Sequence, residues 1–273
     1  MNKDSVYFKN LIIKRLEEES ESLKQQFSKK NQINSFVIDD LLPFPDVEDI
    51  YNSFPESSDM KIKKSLREFK SIDAQLDNHN PILEHITFAF QHQDILRIIS
   101  DITGIDSLSA DSSLYAGGIS RMEKGNFLNP HLDNSHNNDR DMYRVLNLLF
   151  YVTPNRSVED GGNLELWDNG PRQENRVVAA KYNRLVVMAT DQNAWHSVSR
   201  VMQGDRCCIS NYYFSENSPT EEEYFHITTF TGYPNQILRT FLLRLDSGLR
   251  TLVRRVFKKG VVNVSHIYKQ KKP

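Results

Sequence analysis

Apolar and polar residues follow two different periodicities along this chain, which predict helical ends and a strand-rich middle. Apolar residues recur at spacings of three and four in residues 5–29 and 81–102, as in amphipathic helices. We expect a short strand within residues 34–43 and a further helix within residues 45–54. Residues 58–80 are polar and mixed in charge, and we expect a flexible segment that faces a substrate.

The middle of the chain has the pattern of an antiparallel two-sheet structure. From Leu114 onward, short apolar runs alternate with glycine, asparagine, aspartate and proline. The sequence has no internal repeat and no low-complexity linker. We therefore divide it into a helical segment (1–30), a β domain with supporting helices (31–216) and a basic helical extension (217–273).

The C-terminal extension combines an apolar stripe with a basic bias. Residues 239–273 contain ten Lys or Arg residues and one acidic residue, Asp246, whereas the formal net charge of the whole chain is −2. The spacing predicts an amphipathic helix, or two helices broken near Gly248. We favour packing of the stripe on the β domain or on a second subunit, with an anionic membrane, nucleic acid or an acidic protein as alternatives. The stripe contains Leu238, Phe241, Leu242, Leu245, Leu249, Leu252, Val253 and Val256.

Composition and cysteine usage predict a cytoplasmic globular protein. The 273 residues, 38% of them hydrophobic and 26% charged, are enough for one good core. The two cysteines, Cys207 and Cys208, are adjacent, so there is no disulfide framework and no zinc-binding spacing. The apolar run at residues 11–13 is too short for a signal peptide, and no run approaches the ~20 apolar residues of a membrane span. We expect no nucleic-acid partner.

His131, Asp133 and His196 are the most informative polar residues. Side chains alternate faces along a strand, so His131 and Asp133 point the same way and can hold one ion. His196 lies 65 residues beyond His131, so only the fold can bring it to the same place. Two histidines and one carboxylate can bind Fe(II) and leave coordination positions for dioxygen and a co-substrate. These residues therefore indicate oxidative chemistry.

His136 and Arg206 are further candidates near this set. His136 is an alternative ligand, although we interpret residues 134–141 as a solvated turn. Arg206 lies ten residues beyond His196 and begins an apolar run. If that run is a strand, Arg206 and Ser210 share a face, and the guanidinium is suited to hold a carboxylate through two hydrogen bonds.

Six ordered blocks within residues 114–214 resemble the Fe(II)- and 2-oxoglutarate-dependent dioxygenases, in particular their prolyl-hydroxylase-like branch. The resemblance implies a mainly β fold with flanking helices, the double-stranded β-helix or distorted jelly roll. It also implies that His131, Asp133 and His196 bind iron, that Arg206 and Tyr151 bind the distal carboxylate of 2-oxoglutarate, and that Ser210 is a weaker candidate. The blocks are residues 125–133, 144–151, 161–167, 183–188, 195–198 and 206–214.

The resemblance implies oxidative decarboxylation of 2-oxoglutarate to succinate and carbon dioxide, with hydroxylation of an unactivated C–H bond and ascorbate as a candidate reductant. The carboxylate of Asp133 argues against halogenation, because related halogenases lack it. The family often has tyrosines near the positions of Met122 and Leu128, which are absent here, so peptidyl proline, a small metabolite and a biosynthetic intermediate remain candidate substrates.

Two other functions are compatible with a metal-binding jelly roll. One is a non-catalytic, cupin-like binding module, and the other is a cupin-type sugar isomerase or epimerase. Arg206 argues against the first, because a simple metal site needs no anchor for a dicarboxylate. Cupin metal sites usually contain more histidines, and this chain has no third histidine at a persuasive spacing. A homodimer through the terminal helices is a further expectation.

Overall fold

The structure, a computed structural model, describes residues 3–220, 222–257 and 267–269. Its helices are α1 (Ser5–Glu18), α2 (Ser20–Phe27), α3 (Phe44–Asn52), α4 (Pro81–Ala89), α5 (Gln93–Thr103) and α6 (Ile237–Val256). Its strands are β1 (Ser35–Asp39), β2 (Lys61–Lys64), β3 (Glu68–Asp73), β4 (Ser109–Ala110), β5 (Gly118–Glu123), β6 (Phe127–Leu132), β7 (Tyr143–Tyr151), β8 (Leu164–Leu166), β9 (Arg176–Val178), β10 (Arg184–Ala189), β11 (His196–Val198), β12 (Asp205–Ser215) and β13 (Thr229–Phe230).

The strands form one curled sheet in which neighbouring strands are antiparallel. The order is β1-β10-β7-β12-β5-β3-β6-β11-β8-β9, with β2 on β3, β4 on β12 and β13 on β6. Sequence neighbours are mostly separated in this order, so the sheet brings distant parts of the chain together. The prediction of a mainly β fold with flanking helices is confirmed.

The N-terminal helices pack on the outer side of the sheet. Phe8, Ile12 and Leu16 of α1 are fully buried and belong to the same apolar cluster as Phe150 of β7. The two predicted long helices are each divided in the structure. Residues 5–29 break at Glu19, and residues 81–102 break where the extended backbone of His92 lets its side chain cap the start of α5.

The polar segment at residues 58–80 is part of the sheet, so the expectation of a flexible segment is wrong. Strand β3 pairs with β5 through Ser71, Ile72 and Asp73, and with β6 through Glu68 and Phe69. These ladder hydrogen bonds satisfy the backbone polar groups, which explains why a polar sequence is ordered here. The segment does face the cavity described below, as expected.

Helix α6 is continuous through Gly248, but its apolar stripe faces solvent. The helix contacts the β domain through Leu243 and Ser247, and its only acidic residue, Asp246, pairs with Arg67 of the β domain. Packing of the stripe on the β domain is therefore wrong, since the inner face is formed by Leu243, Ser247 and the Asp246–Arg67 pair. Lys258, Lys259, Lys271 and Lys272 of the basic extension lie outside the described residues. In the described part of the chain, no helix has the length and apolarity needed to cross a membrane.

Candidate active site

Strand pairing brings the three predicted metal ligands together. His131 on β6 lies opposite His196 on β11, and Asp133 follows the end of β6. The Asp133 oxygens lie 3.6 Å from Nε2 of His131 (Oδ1) and 3.6 Å from Nε2 of His196 (Oδ2). Ligand atoms from these three residues all lie within 4.8 Å of one another. One divalent ion can therefore contact all three side chains.

Backbone contacts orient both imidazoles toward the shared position. Nδ1 of His131 lies 2.9 Å from the Asn129 carbonyl, and Nδ1 of His196 lies 3.0 Å from the Ala194 carbonyl. A carbonyl accepts hydrogen bonds, so each Nδ1 carries the proton and each Nε2 presents a lone pair. Burial, reinforced by the neighbouring His131, lowers the pKa of His196 to about 4, so its imidazole is neutral at physiological pH.

Asp133 provides the negative charge of the site. Burial alone would raise its pKa, but the adjacent His131 and His196 imidazoles and the Arg144 guanidinium hold the pKa well below its usual range. Its Oδ2 is buried and has no hydrogen-bond partner within the part of the chain that the structure describes. A buried carboxylate oxygen of this kind ordinarily has a ligand, and two imidazoles with one carboxylate suit Fe(II). The residues present therefore fit the implied metal.

Ser197, the residue after His196, holds β11 in place. Its hydroxyl donates to Oε2 of Glu165 at 2.6 Å and accepts from Nε1 of Trp167 at 2.8 Å. Tyr233 donates to the same Glu165 oxygen at 2.6 Å. This buried network fixes the strand that carries His196.

Arg206 is a buried cation on β12. Only 3% of the residue is exposed, and among the described residues no carboxylate lies within ion-pair distance of it. Its Nη1 makes long contacts of 3.4 Å to Ser120 and 3.8 Å to the Met122 sulfur, and in the described part of the chain its Nε has no hydrogen-bond partner. A buried guanidinium in this state is suited to an anionic ligand, since leaving it unpaired is costly.

Tyr151 and Ser210 lie beside Arg206. The Arg206 guanidinium carbon is 4.9 Å from the centre of the Tyr151 ring, and the Tyr151 hydroxyl is buried with no hydrogen-bond partner in the described ranges. Burial raises the pKa of Tyr151 to about 12, so the hydroxyl stays protonated and can donate to an anion. Ser210 lines the same cavity as Arg206. The predicted shared face of Arg206 and Ser210 is thus observed.

One cavity of about 260 Å³ joins His131, Asp133, His196, Arg206 and Ser210. Several cations that were given no role in the sequence analysis also line it. Arg144 could have been noticed from the sequence, because it is a charged residue in an otherwise apolar strand. The signal for the others was weak, since they lie in polar segments. The five additional cations, Arg144 included, are Lys63, Arg67, Lys70, Arg144 and Arg250.

His136, the alternative ligand, lies outside the cluster. Its ring lies against Tyr143, with centroids 4.3 Å apart, and its Nδ1 is 2.8 Å from the Ser135 hydroxyl. The group of potential ligands found among the described residues contains His131, Asp133 and His196 without it. His136 therefore contacts neighbouring side chains and is not one of the candidate metal ligands.

Comparison with known proteins agrees with this geometry. Residues 117–214 match the model of the 2OG-Fe(II) oxygenase superfamily, and this segment contains all three candidate ligands and Arg206. No curated protein matches the chain. The chain therefore contains an oxygenase domain of the class that uses Fe(II) and 2-oxoglutarate, as predicted.

Solved structures show the fold. A prolyl 4-hydroxylase from Pseudomonas putida matches with a TM-score of 0.52 and 14% identity, covering 71% of this chain and 98% of that chain. A prolyl 4-hydroxylase structure from Phytophthora capsici matches with a TM-score of 0.51 and 18% identity, covering 95% and 82%. The predicted double-stranded β-helix is confirmed. The non-catalytic and cupin-type alternatives are not favoured.

Proposed function

We propose, on the premise that this chain is a 2OG-Fe(II) oxygenase, that His131, Asp133 and His196 bind Fe(II) and that Arg206 binds the distal carboxylate of 2-oxoglutarate. The observation that carries the proposal is the position of Arg206 in the same cavity as the His/Asp cluster. Arg206 is buried there, and no carboxylate of the described residues lies within ion-pair distance of it. A metal-binding module alone has no use for such a cation.

Together with dioxygen, bound Fe(II) and 2-oxoglutarate supply an oxidative decarboxylation to succinate and carbon dioxide that is coupled to hydroxylation of a C–H bond. The chain's own residues position these partners. The Nε2 lone pairs of His131 and His196 face one point, and Asp133 would neutralise part of the charge of a metal held there. Because Asp133 would occupy a coordination position, halogenation is not expected.

Tyr151 and Ser210 are proposed as secondary contacts of the co-substrate. The protonated Tyr151 hydroxyl lies beside Arg206 and has no protein acceptor among the described residues, so it is free to donate to the same carboxylate. Ser210 lies on the Arg206 face of β12 and lines the cavity. We assign Tyr151 the larger contribution, because its hydroxyl is buried and unsatisfied.

The proposed reaction is hydroxylation of a small metabolite, a biosynthetic intermediate or a peptidyl proline. Prolyl 4-hydroxylases share the fold, which supports a peptidyl substrate. Met122 and Leu128 occupy cavity positions where prolyl-hydroxylase-like enzymes often have tyrosines, which supports a different substrate. Ascorbate as reductant, a homodimer and the three-part domain division remain predictions.

Uncoupled turnover tests the assignment without knowledge of the substrate. Purified protein supplied with Fe(II), ascorbate and 2-oxoglutarate should release succinate slowly. We expect His131→Ala and Asp133→Ala to abolish this release, whereas His136→Ala, a matched histidine outside the cluster, should retain it. Undiminished succinate from either ligand variant would refute the metal site.

A further inference from the structure

A second buried guanidinium, that of Arg144, faces the proposed metal site. Only 1% of the residue is exposed, and it lines the same cavity as Asp133 and His196. Its Nη2 donates to the Tyr115 carbonyl at 3.1 Å, but its Nε and Nη1 have no hydrogen-bond partner among the described residues. Most of the hydrogen-bonding capacity of this charge is therefore unused by the protein.

Neighbouring side chains hold Arg144 without neutralising it. Its guanidinium carbon lies 3.8 Å from the centre of the Tyr212 ring, a stacking contact that fixes its plane. The nearest carboxylate oxygen is Oδ1 of Asp133, 3.9 Å from Nη1, which is beyond hydrogen-bond distance. Asp133 is moreover the proposed metal ligand, so its charge is already used. Arg144 is thus a rigid cation that has an open side.

The cavity as a whole has an excess of positive charge. In the part of the chain that the structure describes, six Lys or Arg side chains and two carboxylates, Glu68 and Asp133, line it. Asp246, outside the lining, pairs with two of the six, Arg67 and Arg250. Fe(II) and doubly ionised 2-oxoglutarate cancel each other's charge, so three positive charges remain in the loaded site. Burial and the nearby Lys70 lower the pKa of Lys63, a sign of this repulsion.

We propose that Arg144 binds an anionic group, a carboxylate or a phosphate, on the substrate. This inference rests on the proposed function and names the substrate class for the same site. An anion at Arg144 fills the open Nε and Nη1 positions and offsets the remaining positive charge. The bound anion also anchors the substrate within a side chain's length of Asp133. This anchoring holds the rest of the substrate beside the metal. An uncharged peptidyl proline neither brings an anion to the open Nε and Nη1 positions nor offsets the remaining positive charge.

Binding of small anions to the loaded protein tests this proposal. Calorimetry first verifies that Fe(II) and 2-oxoglutarate bind under anaerobic conditions; failure at this step contradicts the proposed function, not the role of Arg144. Inorganic phosphate, N-acetylproline and its neutral counterpart N-acetylprolinamide are then titrated into the complex. We expect at least one anion to bind at least tenfold more tightly than the amide, and the phosphate and carboxylate arms show which anion is preferred.

Variants locate the binding. Arg144→Gln should remove the preference for the anion, Arg144→Lys should restore most of it, and Arg97→Gln, an exposed arginine, should leave it unchanged. Recovery by lysine distinguishes anion binding from a purely structural role of the side chain. No saturable anion binding to the loaded wild-type protein, equal binding of the amide, or a preference that survives Arg144→Gln would each overturn the proposal.

The outward stripe of α6 carries a second, independent inference. Leu238, Leu245 and Leu252 are 73%, 52% and 61% exposed. Arg244 lies beside the stripe and is exposed, whereas Arg250 lies on the inner side and lines the active-site cavity. The helix has five arginines and a single acidic residue, Asp246, which is already paired with Arg67 and with Arg250 of the helix itself. Two copies of α6 would therefore bring arginines together with no free carboxylate of the helix between them.

We infer that α6 docks on an anionic lipid surface. An amphipathic helix with exposed leucines on one side and an exposed arginine beside them fits the boundary between headgroups and acyl chains. Arg250 of this helix also lines the active-site cavity, so docking would bring that cavity close to the membrane. Anionic lipid headgroups supply the negative charge that a second copy of α6 lacks.

Vesicle sedimentation tests this surface. We expect the protein to bind vesicles of phosphatidylglycerol and phosphatidylcholine in equal parts at least tenfold more tightly than vesicles of phosphatidylcholine. The double variant Leu245→Ser with Leu252→Ser should lose this binding, whereas Val158→Ser, at an exposed valine elsewhere, should retain it. Equal binding to both kinds of vesicle would overturn the inference, as would a double variant that binds as tightly as the wild type. The inference would also fail if the wild type formed a dimer, did not bind vesicles, and lost the dimer in the double variant.

Discussion

His131 and His196 are direct partners across the antiparallel pair β6–β11, and their ring centroids lie 4.1 Å apart. Register therefore sets the separation of the two imidazoles, since opposite residues on paired strands project side by side. A slip of one residue would turn one of them to the other face of the sheet. The geometry of the site thus depends on the pairing of two strands that are far apart in sequence.

Metal binding should stabilise the folded protein. The cluster is built in the native state, so a bound ion adds stability that grows with the logarithm of its concentration, about 2.7 kcal/mol at a concentration of one hundred times its Kd. Mn(II), which does not consume 2-oxoglutarate, should raise the melting temperature by roughly 5–10 °C for a domain of this size. Differential scanning fluorimetry measures this shift. Asp133→Asn should remove it and His136→Ala should not; a shift retained in Asp133→Asn would contradict the ligand assignment.

Arg206→Ala should weaken 2-oxoglutarate binding while iron binding persists. Loss of hydrogen bonds to a charged group costs about 1.5–3 kcal/mol, or roughly 10- to 150-fold in affinity. Tyr151→Phe removes one hydroxyl and should cost about 1 kcal/mol, roughly fivefold. Anaerobic titration of the iron-loaded protein gives both affinities. Unchanged affinity in Arg206→Ala would refute the assigned role.

Ser197→Ala should lower stability by about 1–3 kcal/mol, because it leaves the buried Trp167 nitrogen without its acceptor and removes a donor to Glu165. The melting temperature of the metal-free protein should fall by roughly 3–10 °C. Ser28→Ala, at an exposed serine with one local hydrogen bond, provides the control and should change little. A melting temperature equal to that of the wild type would show that this network does not hold β11.

The metal-free protein should lose stability as the pH falls from about 6.5 toward 4. His196 has a pKa of about 4 when folded and an ordinary pKa near 6.5 when unfolded, so the unfolded state binds more protons in this window. The lowered pKa of Asp133 acts in the same direction at still lower pH. Urea denaturation between pH 7 and pH 5 measures the loss. His196→Gln should flatten the profile, and an equally steep profile in that variant would assign the effect to other groups.

Cys207 and Cys208 should resist thiol reagents in the native protein. Both side chains are buried, and burial raises the pKa of both thiols, so little thiolate forms and reagents have no access. Labelling with a chromogenic disulfide at pH 8 should therefore require unfolding, with both thiols reacting in urea. Rapid labelling of either cysteine in native buffer would contradict the packing of β12.

Local sequence determined much of the candidate site. Alternation along a strand predicted that Arg206 and Ser210 share a face, and the structure has both in the cavity wall. The His-x-Asp spacing likewise predicted that His131 and Asp133 face one point. These relationships span two to four residues, so backbone geometry alone fixes them.

Long-range packing decided the rest. The pairing of His131 with His196, the approach of Arg144 to Asp133 and the outward direction of the α6 stripe each join residues that no local periodicity relates. An apolar stripe indicates that a helix has two faces, but not which face the protein covers, because contacts such as Asp246 with Arg67 can make the polar face the inner one. Sequence by itself thus determined which residues alternate and which chemistry they carry, whereas only the tertiary structure decided which of them meet.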